Sequence, residues 1–286
     1  MWWLKLNYFY LPLEEWTNRF VDDWLLPVMS GFFDGISDGL SRFVMAVTQL
    51  LTIIPPEVIT VLLIAIAWKT AGKGVAIFAF IGCVYIGSID MWMESMQTVA
   101  IVIVATITSI VIGVPVGILT AISKTLDSIV RPILDIMQTL PIFVYLIPAV
   151  LLFGLGGVPA VIATFVFAAP PAIRMTSLGI KQVPGDIVEA SHSFGSTLWQ
   201  LLFKVQLPLA LPTIMAGINQ TIMLSLSMAV VASMIGAPGL GAMITESIST
   251  VNVGLGLAAG LAIVVLAIVL DRMTQGLVKT NGNEGM

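Results

Sequence analysis

The stretch that decides the fold is Ser95–Ser123, which reads SMQTVAIVIVATITSIVIGVPVGILTAIS and holds no charged residue. It exceeds the roughly 20 apolar residues that a helix needs to cross the hydrocarbon core of a bilayer. It is also far longer than a transmembrane barrel strand, which has roughly 9–11 residues, and it does not alternate between apolar and polar residues. The sequence therefore predicts an all-α protein built on membrane-spanning helices.

The composition of the whole chain points the same way. Of its 286 residues, 58% are hydrophobic and 10% are charged, whereas a soluble domain carries about 25% charged residues. Intrinsic disorder is excluded because it requires low hydrophobicity. The single cysteine, Cys83, leaves no disulfide framework, and with the single histidine, His192, it gives no basis for a metal site. A net charge of −4 indicates no nucleic-acid partner.

Three further charge-free stretches follow the first one, at Ile136–Ile173, Val205–Thr245 and Ser247–Leu270. Glycine and proline residues interrupt the first two of them. With two weaker apolar segments before Ser95, these stretches predict a polytopic protein of about seven spans. The predicted spans cover residues 55–71, 74–90, 95–121, 133–153, 158–180, 209–235 and 252–272. Gly113 and Gly117 lie four residues apart in the third span, a spacing that favours close helix packing.

The basic residues predict the orientation, because lysine and arginine concentrate on the cytosolic side of a membrane. Nine of them fall on one side if the N-terminus lies outside and the C-terminus lies inside. They are Lys69, Lys73, Lys124, Arg131, Arg174, Lys181, Lys204, Arg272 and Lys279. The opposite side then holds Asp90, Glu94 and Glu246. This pattern predicts a multi-pass membrane protein with its N-terminus outside and its C-terminus in the cytosol.

Residues 1–54 differ from the rest of the chain, because acidic and aromatic residues are interleaved there. Trp16, Phe20, Trp24 and Val28 recur every four residues, which is helical spacing. We expect an amphipathic scaffold helix at the membrane–water interface. Residues 36–54 could instead form an extra span, which would place the N-terminus inside. The domains are then a scaffold segment at 1–54, a transmembrane domain at 55–275 and a cytosolic tail at 276–286.

The longest cytosolic connection, residues 181–208, is predicted to form two short helices. Pro184 and Gly185 break the chain, and Asp186 could then cap a helix through its carboxylate. Gly195 would end that helix, and a second amphipathic helix would follow at residues 197–205. Two short helices on the surface make a rigid knob that could dock into a groove of a soluble partner.

The same connection resembles a known sequence signature. Its residues are Glu189, Ala190, Ser191, Gly195, Val205, Leu207 and Pro208. The spacing is similar to the EAA signature, Glu-Ala-Ala, three residues, Gly, nine residues, Ile, one residue, Leu-Pro, of the membrane subunits of binding-protein-dependent ABC importers. The chain departs from it only at Ser191, where the pattern has alanine, and at Val205, where it has isoleucine. Both changes keep the size and character of the side chain.

Four other stretches look like the glycine betaine/proline subgroup of these permeases, and the similarity covers about residues 30–275. They are Asp135–Tyr145, Ala169–Thr176, Gly217–Gln220 and Met234–Gly241. The resemblance implies the transmembrane fold of a type I ABC importer and the import of quaternary ammonium osmolytes by alternating access. It also implies a second copy of the chain, two cytosolic ATPase subunits and an external substrate-binding protein.

The chain itself has no Walker sequence for binding the phosphates of ATP. We therefore expect a non-enzymatic transport subunit without a cofactor of its own, with ATP and Mg²⁺ bound by the partner ATPase. The signature residues would then transmit the movement of the ATPase to the spans.

The substrate route is predicted less directly. A quaternary ammonium group has no N–H donor and is held by aromatic faces, so the candidates for the pathway are Phe143, Tyr145, Phe165 and Phe167. The glycine-rich run after the sixth span could be a re-entrant gate or a plain surface turn, and its candidate residues are Gly236, Pro238, Gly239 and Gly241.

Three alternatives stay open from the sequence. The substrate could be choline, carnitine or another quaternary amine. The chain could be an ion-coupled secondary transporter, which would favour inverted repeats and ionisable residues at mid-membrane. It could also be a membrane scaffold without transport, although such a protein has no reason to carry the spacing of the connecting loop. A neighbouring gene for an ATPase would separate these readings.

Overall fold

The computed structural model describes residues 12–283, and within them the chain forms helices and no strand. The helices are α1 Leu13–Ile53, α2 Pro56–Ala71, α3 Lys73–Ser88, α4 Trp92–Ile122, α5 Lys124–Thr139, α6 Ile142–Phe153, α7 Gly157–Lys181, α8 Gly185–Ser193, α9 Leu198–Ile235, α10 Leu240–Ser249 and α11 Val253–Asn283. Short π turns interrupt α1 at Phe20–Leu25 and α9 at Leu202–Gln206, and α9 ends in a 3₁₀ turn at Ala232–Ile235. The all-α prediction is confirmed.

Four of the described helices are long and apolar enough to cross a membrane by themselves: α4, α7, α9 and the Val253–Gly276 part of α11. The number rises to six if two bent pairs, α1 with α2 and α5 with α6, each count as one span. This is fewer than the seven predicted. Helices α2 and α3 have 16 residues each, about 24 Å at 1.5 Å per residue, which is short of the roughly 30 Å of a hydrocarbon core.

The fourth predicted span, residues 133–153, is wrong as a single helix. The chain bends by 103° between α5 and α6. Pro141 supplies no N–H and holds Leu140 in an extended conformation, with ψ of 140°. The hydroxyl of Tyr145 donates to the carbonyls of Met137 and Leu140, so the polar groups that the break leaves unpaired are satisfied within the protein. That is the condition for irregular backbone at membrane depth.

Helix α7 is the centre of the bundle, packed between α4 and α9. Glycines allow the close approach on both sides. A Cβ added at Gly117 of α4 would lie 2.6 Å from the carbonyl oxygen of Ile173, and one at Gly217 of α9 would lie 2.9 Å from that of Pro171. Gly113 faces Ala172 in the same way. The prediction that Gly113 and Gly117 serve tight helix packing is confirmed.

Irregular backbone lies at each end of α9, as a loop at one end and a turn at the other, and we name the two ends of the bundle after these segments. The loop end holds residues 182–206, and the turn end holds residues 232–239. The charged ends of α5 and α7 meet at the loop end, where Lys181 contacts Asp127.

Helix α1 lies against the turn end. The Phe33 ring packs edge-on against Phe153, with 5.6 Å between ring centroids, and Val44 lies beside Gly157. Both contacts are with the corner between α6 and α7. The helical spacing predicted for the start of the chain is present from Leu13 onward, and Phe20 stacks on Trp24. Residues 1–11 of the predicted scaffold segment lie outside the described residues. Helix α1 meets the length and apolarity of a span only together with α2, across a bend of 99°.

Candidate functional site

Backbone groups cap the two ends of α8, the first short helix of the loop end. Its N-cap is Pro184, and no side chain caps it. Asp186 lies one residue inside the helix, so the prediction that its carboxylate is the cap is wrong. Gly195 ends the helix as predicted, in the left-handed region at φ +78°. The N–H of Gly195 donates to His192 O at 2.9 Å and that of Ser196 to Ser191 O at 3.2 Å, the paired bonds of a Schellman motif.

Hydroxyl groups fix the turn between the two short helices. Ser196 Oγ donates to the carbonyl of Ser191 at 2.7 Å, and the two serine hydroxyls are themselves 2.7 Å apart. The departure from the signature at Ser191 thus adds a hydrogen bond that alanine could not make. Thr197 and Gln200 then form a capping box at the start of α9, with N···O distances of 2.9 and 3.4 Å. The turn is therefore held rigidly by groups of the chain itself.

Large apolar side chains cover the outside of this knob. Phe194 is 92% exposed, Leu198 is 71% exposed and Trp199 is 67% exposed. The ring of Trp199 stacks on that of Phe203 at 5.8 Å. Glu189 and Ala190 are exposed next to them. From the sequence, Phe194 is placed on one face of the first short helix without a role, and Leu198, Trp199 and Phe203 are not identified. An exposed apolar group of this kind marks a surface that a partner covers.

The end of the signature anchors the knob to the bundle. Leu202 is buried with Ile180 and Ile214, and Leu207 packs against the same cluster. The π turn at Leu202–Gln206, which contains Val205, directly precedes Pro208. The wider turn accommodates a proline whose ring would clash with the carbonyl four residues back in a regular α-helix. The knob is therefore continuous with α9 and packed against the bundle.

Ion pairs join α5 to α7 at the loop end, around a cavity of about 440 Å³. Lys181 Nζ lies 2.9 Å from Asp127 Oδ2, and Arg174 Nη2 lies 2.6 Å from Asp135 Oδ1. Arg131 also contacts Asp127, at 3.0 Å. The hydrogen bond from Lys181 holds the pKa of the Asp127 carboxyl, at the charged start of α5, below its usual range. Asp127 is therefore ionised at neutral pH.

The aromatic residues predicted for the substrate route do not come together. Tyr145 is buried and contacts Phe167, with 6.3 Å between ring centroids. Phe165 packs elsewhere, against the cluster of Leu134 and Ile173. Phe143 is 59% exposed on α6. Among the described residues, Tyr145 with Phe167 is the one ring contact within the predicted set.

The glycine-rich run at the turn end is partly buried. Ala237 is 1% exposed and Leu240 is fully buried, so one side of the run packs into the bundle. The N–H of Leu240 donates to Thr98 Oγ1 at 2.8 Å, and that of Gly156 donates to Ile235 O at 3.0 Å. These bonds tie the run to α4 and to the start of α7.

The four gate candidates lie on two sides of that run, one exposed and one packed into the bundle. Gly236 and Pro238 are exposed, and Gly239 and Gly241 are buried. A Cβ at Gly241 would lie 2.9 Å from Ser233 Cβ and from the carbonyl oxygen of Val230. The turn therefore presents one open edge and packs its other edge into the bundle.

The chain resembles characterised permeases over nearly its full length. It is 50% identical over 276 residues to the glycine betaine transport system permease protein OpuAB of Bacillus subtilis, covering 96% of this chain and 98% of that one. It is 46% identical to the glycine betaine/proline betaine transport system permease protein ProW of Escherichia coli, covering 96% of this chain and 77% of that one. It is 47% identical to the glycine betaine/carnitine transport permease protein GbuB of Listeria monocytogenes, covering 96% and 98%.

The fold has a solved counterpart in the inward-facing MetNI methionine ABC transporter. The match covers 65% of this chain and 93% of that one, with a TM-score of 0.60 and 24% sequence identity. Residues 113–280 match the family model described as the binding-protein-dependent transport system inner membrane component. This range includes the loop end, the turn end and the whole of α9. The chain belongs to the family of binding-protein-dependent transport system inner membrane components.

Proposed function

We propose that this chain is the permease subunit of an ATP-driven importer for glycine betaine and related quaternary ammonium osmolytes. The observation that carries the proposal is the rigid knob at residues 185–206, which begins the EAA spacing at Glu189 and presents exposed apolar side chains beside it. The names of the relatives at 46–50% identity support the substrate class. Among the described spans, α4 and α9 carry no charged residue from Ser95 to Ile122 and from Val205 to Ile235, and the Asp271 carboxylate of α11 is hydrogen-bonded by Asn219 and Gln275. These spans therefore give little support to the mid-membrane ion site that a secondary transporter needs.

The signature residues have distinct roles in this proposal. Glu189, Ala190 and Ser191 contact a groove of the ATPase, and Phe194 inserts beside them. Gly195 permits the left-handed turn between the two short helices, and the open space around it lets the ATPase approach the backbone closely. Val205, Leu207 and Pro208 pass the motion to α9. ATP and Mg²⁺ belong to the ATPase, and this chain contributes no catalytic group.

The complete importer contains two copies of this chain, two ATPase subunits and an external substrate-binding protein. Its loop end lies in the cytosol, which places the nine basic residues there and follows the positive-inside rule. The N-terminus then lies outside and the C-terminus in the cytosol of a prokaryotic cell. Residues 1–54 form an external scaffold segment, residues 55–275 the transmembrane domain and residues 276–286 a cytosolic tail.

Within the bundle, Tyr145 and Phe167 remain the better supported of the aromatic pathway candidates, since they share one contact, and Phe143 and Phe165 are second to them. The turn at Gly236, Pro238, Gly239 and Gly241 serves as the outer gate. Its support is that the run is irregular backbone at membrane depth, which is tolerated only beside protein or water.

Uptake into vesicles tests the proposal. The chain is reconstituted with its ATPase and binding protein, and radiolabelled glycine betaine, proline, choline, carnitine and trimethylamine N-oxide are compared with and without ATP. We expect ATP-dependent accumulation of glycine betaine. The control carries an ATPase variant without its Walker lysine, which should show none. Uptake by the chain alone, driven by a Na⁺ or H⁺ gradient, would contradict the proposal.

A further inference from the structure

One exposed face of α9 differs from the exposed faces of the other spanning helices. We call it the polar stripe after its two polar members, Gln220 and Ser227; Ala216, Met223 and Met234 complete it. These residues follow one another at intervals of three, four or seven, so they lie on one side of the helix. Ala216, Gln220, Ser227 and Met234 are exposed and Met223 is partly exposed. The opposite face of α9, including Gly217 and Thr221, is buried against its neighbours.

Helix α11 provides the contrast. Its exposed face consists of Leu257, Leu261, Val264 and Ile268, which repeat with the same helical period and are all apolar. Helices α3 and α4 expose apolar side chains in their middle parts as well, such as Phe80 and Val111. Faces of this composition suit contact with lipid chains.

The polar stripe does not suit contact with lipid. The Gln220 side chain makes no hydrogen bond with any described residue, although its amide carries two N–H donors and a carbonyl acceptor. Ser227 Oγ donates to Met223 O at 3.1 Å, whereas the Gln220 amide has no such partner among the described residues. An unpaired amide in hydrocarbon is costly, so the stripe must face water or protein.

We propose that the polar stripe of α9 lines the water-filled route of the substrate, and that Gln220 is a substrate-contacting residue on it. The inference rests on the proposed function and adds to it the residues of the route. The stripe runs from the loop-end half of α9 to Met234, beside the Gly236 turn, and so follows most of the span. It carries no charge that would retain either end of a zwitterion. The Gln220 N–H groups suit a carboxylate, and the methionine side chains suit methyl groups on a quaternary nitrogen.

Cysteine accessibility tests the proposal. Cys83 is first replaced by alanine, and single cysteines are then placed by Gln220→Cys and Ser227→Cys. The control for Gln220 is Ile268→Cys, because the hydrogen bond from Asn219 to Asp271 sets Gln220 and Ile268 at similar depth. Leu261→Cys serves for Ser227. The assembled transporter in lipid nanodiscs is treated with a trimethylammonium-ethyl methanethiosulfonate, a water-soluble reagent that carries the substrate's cationic group.

We expect the two stripe cysteines to react at least tenfold faster than their controls, and glycine betaine in excess to slow the reaction at Gln220→Cys. Equal, slow reaction at all four positions would mean that the stripe faces lipid and would overturn the proposal. Slow reaction together with an oxidative disulfide between two copies at Gln220→Cys would also overturn it, because the stripe would then be a dry interface between copies.

The Cys83→Ala protein separates this inference from the proposed function. Its ATP-dependent uptake is measured before any labelling, so an inactive transporter counts against the function and an active one with unreactive stripe cysteines counts against the route. Gln220→Leu should raise the KM for glycine betaine uptake at least fivefold, whereas Ile268→Ala should leave it unchanged. An unchanged KM in Gln220→Leu would remove Gln220 from the contact with substrate.

Discussion

The two ends of α9 are both interrupted by a glycine at positive φ, yet they are built in opposite ways. At the loop end Gly195 has open space around it, and the neighbouring Phe194 is 92% exposed. At the turn end Gly239 is surrounded by α4, and the neighbouring Leu240 is fully buried. The loop end holds its own shape and leaves its apolar side chains uncovered. At the turn end Ile235, Ala237 and Leu240 are covered by the rest of the chain, and Met234 is the exposed large apolar side chain among the described residues there.

The two ends should therefore respond differently to substitutions. In the proposed importer the ATPase covers the knob at the loop end, so substitutions there should affect assembly and transport more than stability. The turn at the turn end is pinned by hydrogen bonds within the chain, so substitutions there should affect stability first.

The largest effect is expected from Gly195→Asp. Open space around Gly195 means that the new side chain meets no clash in the chain itself, and the left-handed conformation costs only about 1 to 2 kcal/mol for a residue with a Cβ. The protein should reach the membrane in normal amount. A charged side chain in the contact with the ATPase should nevertheless abolish ATP-dependent uptake, measured in vesicles.

The control for this variant is Gly195→Ala, which carries the same backbone strain without the charge. It should retain a measurable fraction of uptake. Normal uptake by Gly195→Asp would remove the loop end from the coupling of ATP hydrolysis to transport.

Phe194→Ala should come next. Truncating an aromatic anchor at the centre of an interface costs about 2 kcal/mol or more, which is roughly 30-fold in affinity. Binding of the purified ATPase to the permease in nanodiscs measures the Kd. Leu257→Ala, at an apolar residue that is 63% exposed at the other end of the bundle, should leave the Kd unchanged. Equal Kd values for the two variants would show that exposure at the loop end has no special role.

The loop end could be predicted from the sequence to within a residue or two, because Pro184, Gly195 and Thr197 act through their immediate neighbours. The break at Pro141 could not. Pro132 and Pro148 lie inside α5 and α6 without ending them, so a proline alone does not say where an apolar run bends. Pro141 does end the helix, and the hydroxyl of Tyr145 then donates to the carbonyls of Met137 and Leu140, a contact that only the folded chain provides.

The exposure of individual side chains could not be predicted from the sequence either. The apolar character of Phe194 and Trp199 fits a buried helix face as well as a docking surface. The burial of Ala237 and the exposure of Gln220 depend on which helices pack around them. Periodicity identifies the face of a helix on which a residue lies, and tertiary packing decides what that face meets.

At the turn end, Gly239→Ala should destabilise the protein. The glycine has φ of +115°, and a Cβ would overlap Thr98 Oγ1 and lie 3.1 Å from Glu94 O. Strain and overlap together should cost roughly 2–4 kcal/mol. Gly195→Ala, with strain and no overlap, should cost about 1 kcal/mol. The midpoints of thermal unfolding in detergent should therefore fall much further for Gly239→Ala, and equal shifts would contradict the view that only this end is packed by its own chain.

The smallest effect is expected from Thr98→Val, which keeps the shape of the side chain and removes its hydroxyl. Thr98 Oγ1 donates to Glu94 O at 2.9 Å and accepts from the N–H of Leu240 at 2.8 Å. An orphaned buried N–H costs about 1–3 kcal/mol, and we expect a value near the lower end, since the exposed Gly236 and Pro238 leave water close by. Thr98→Ser keeps the acceptor and should unfold at nearly the wild-type temperature. If valine and serine lowered the unfolding midpoint equally, the methyl packing of Thr98 and not its hydrogen bond would hold the turn against α4.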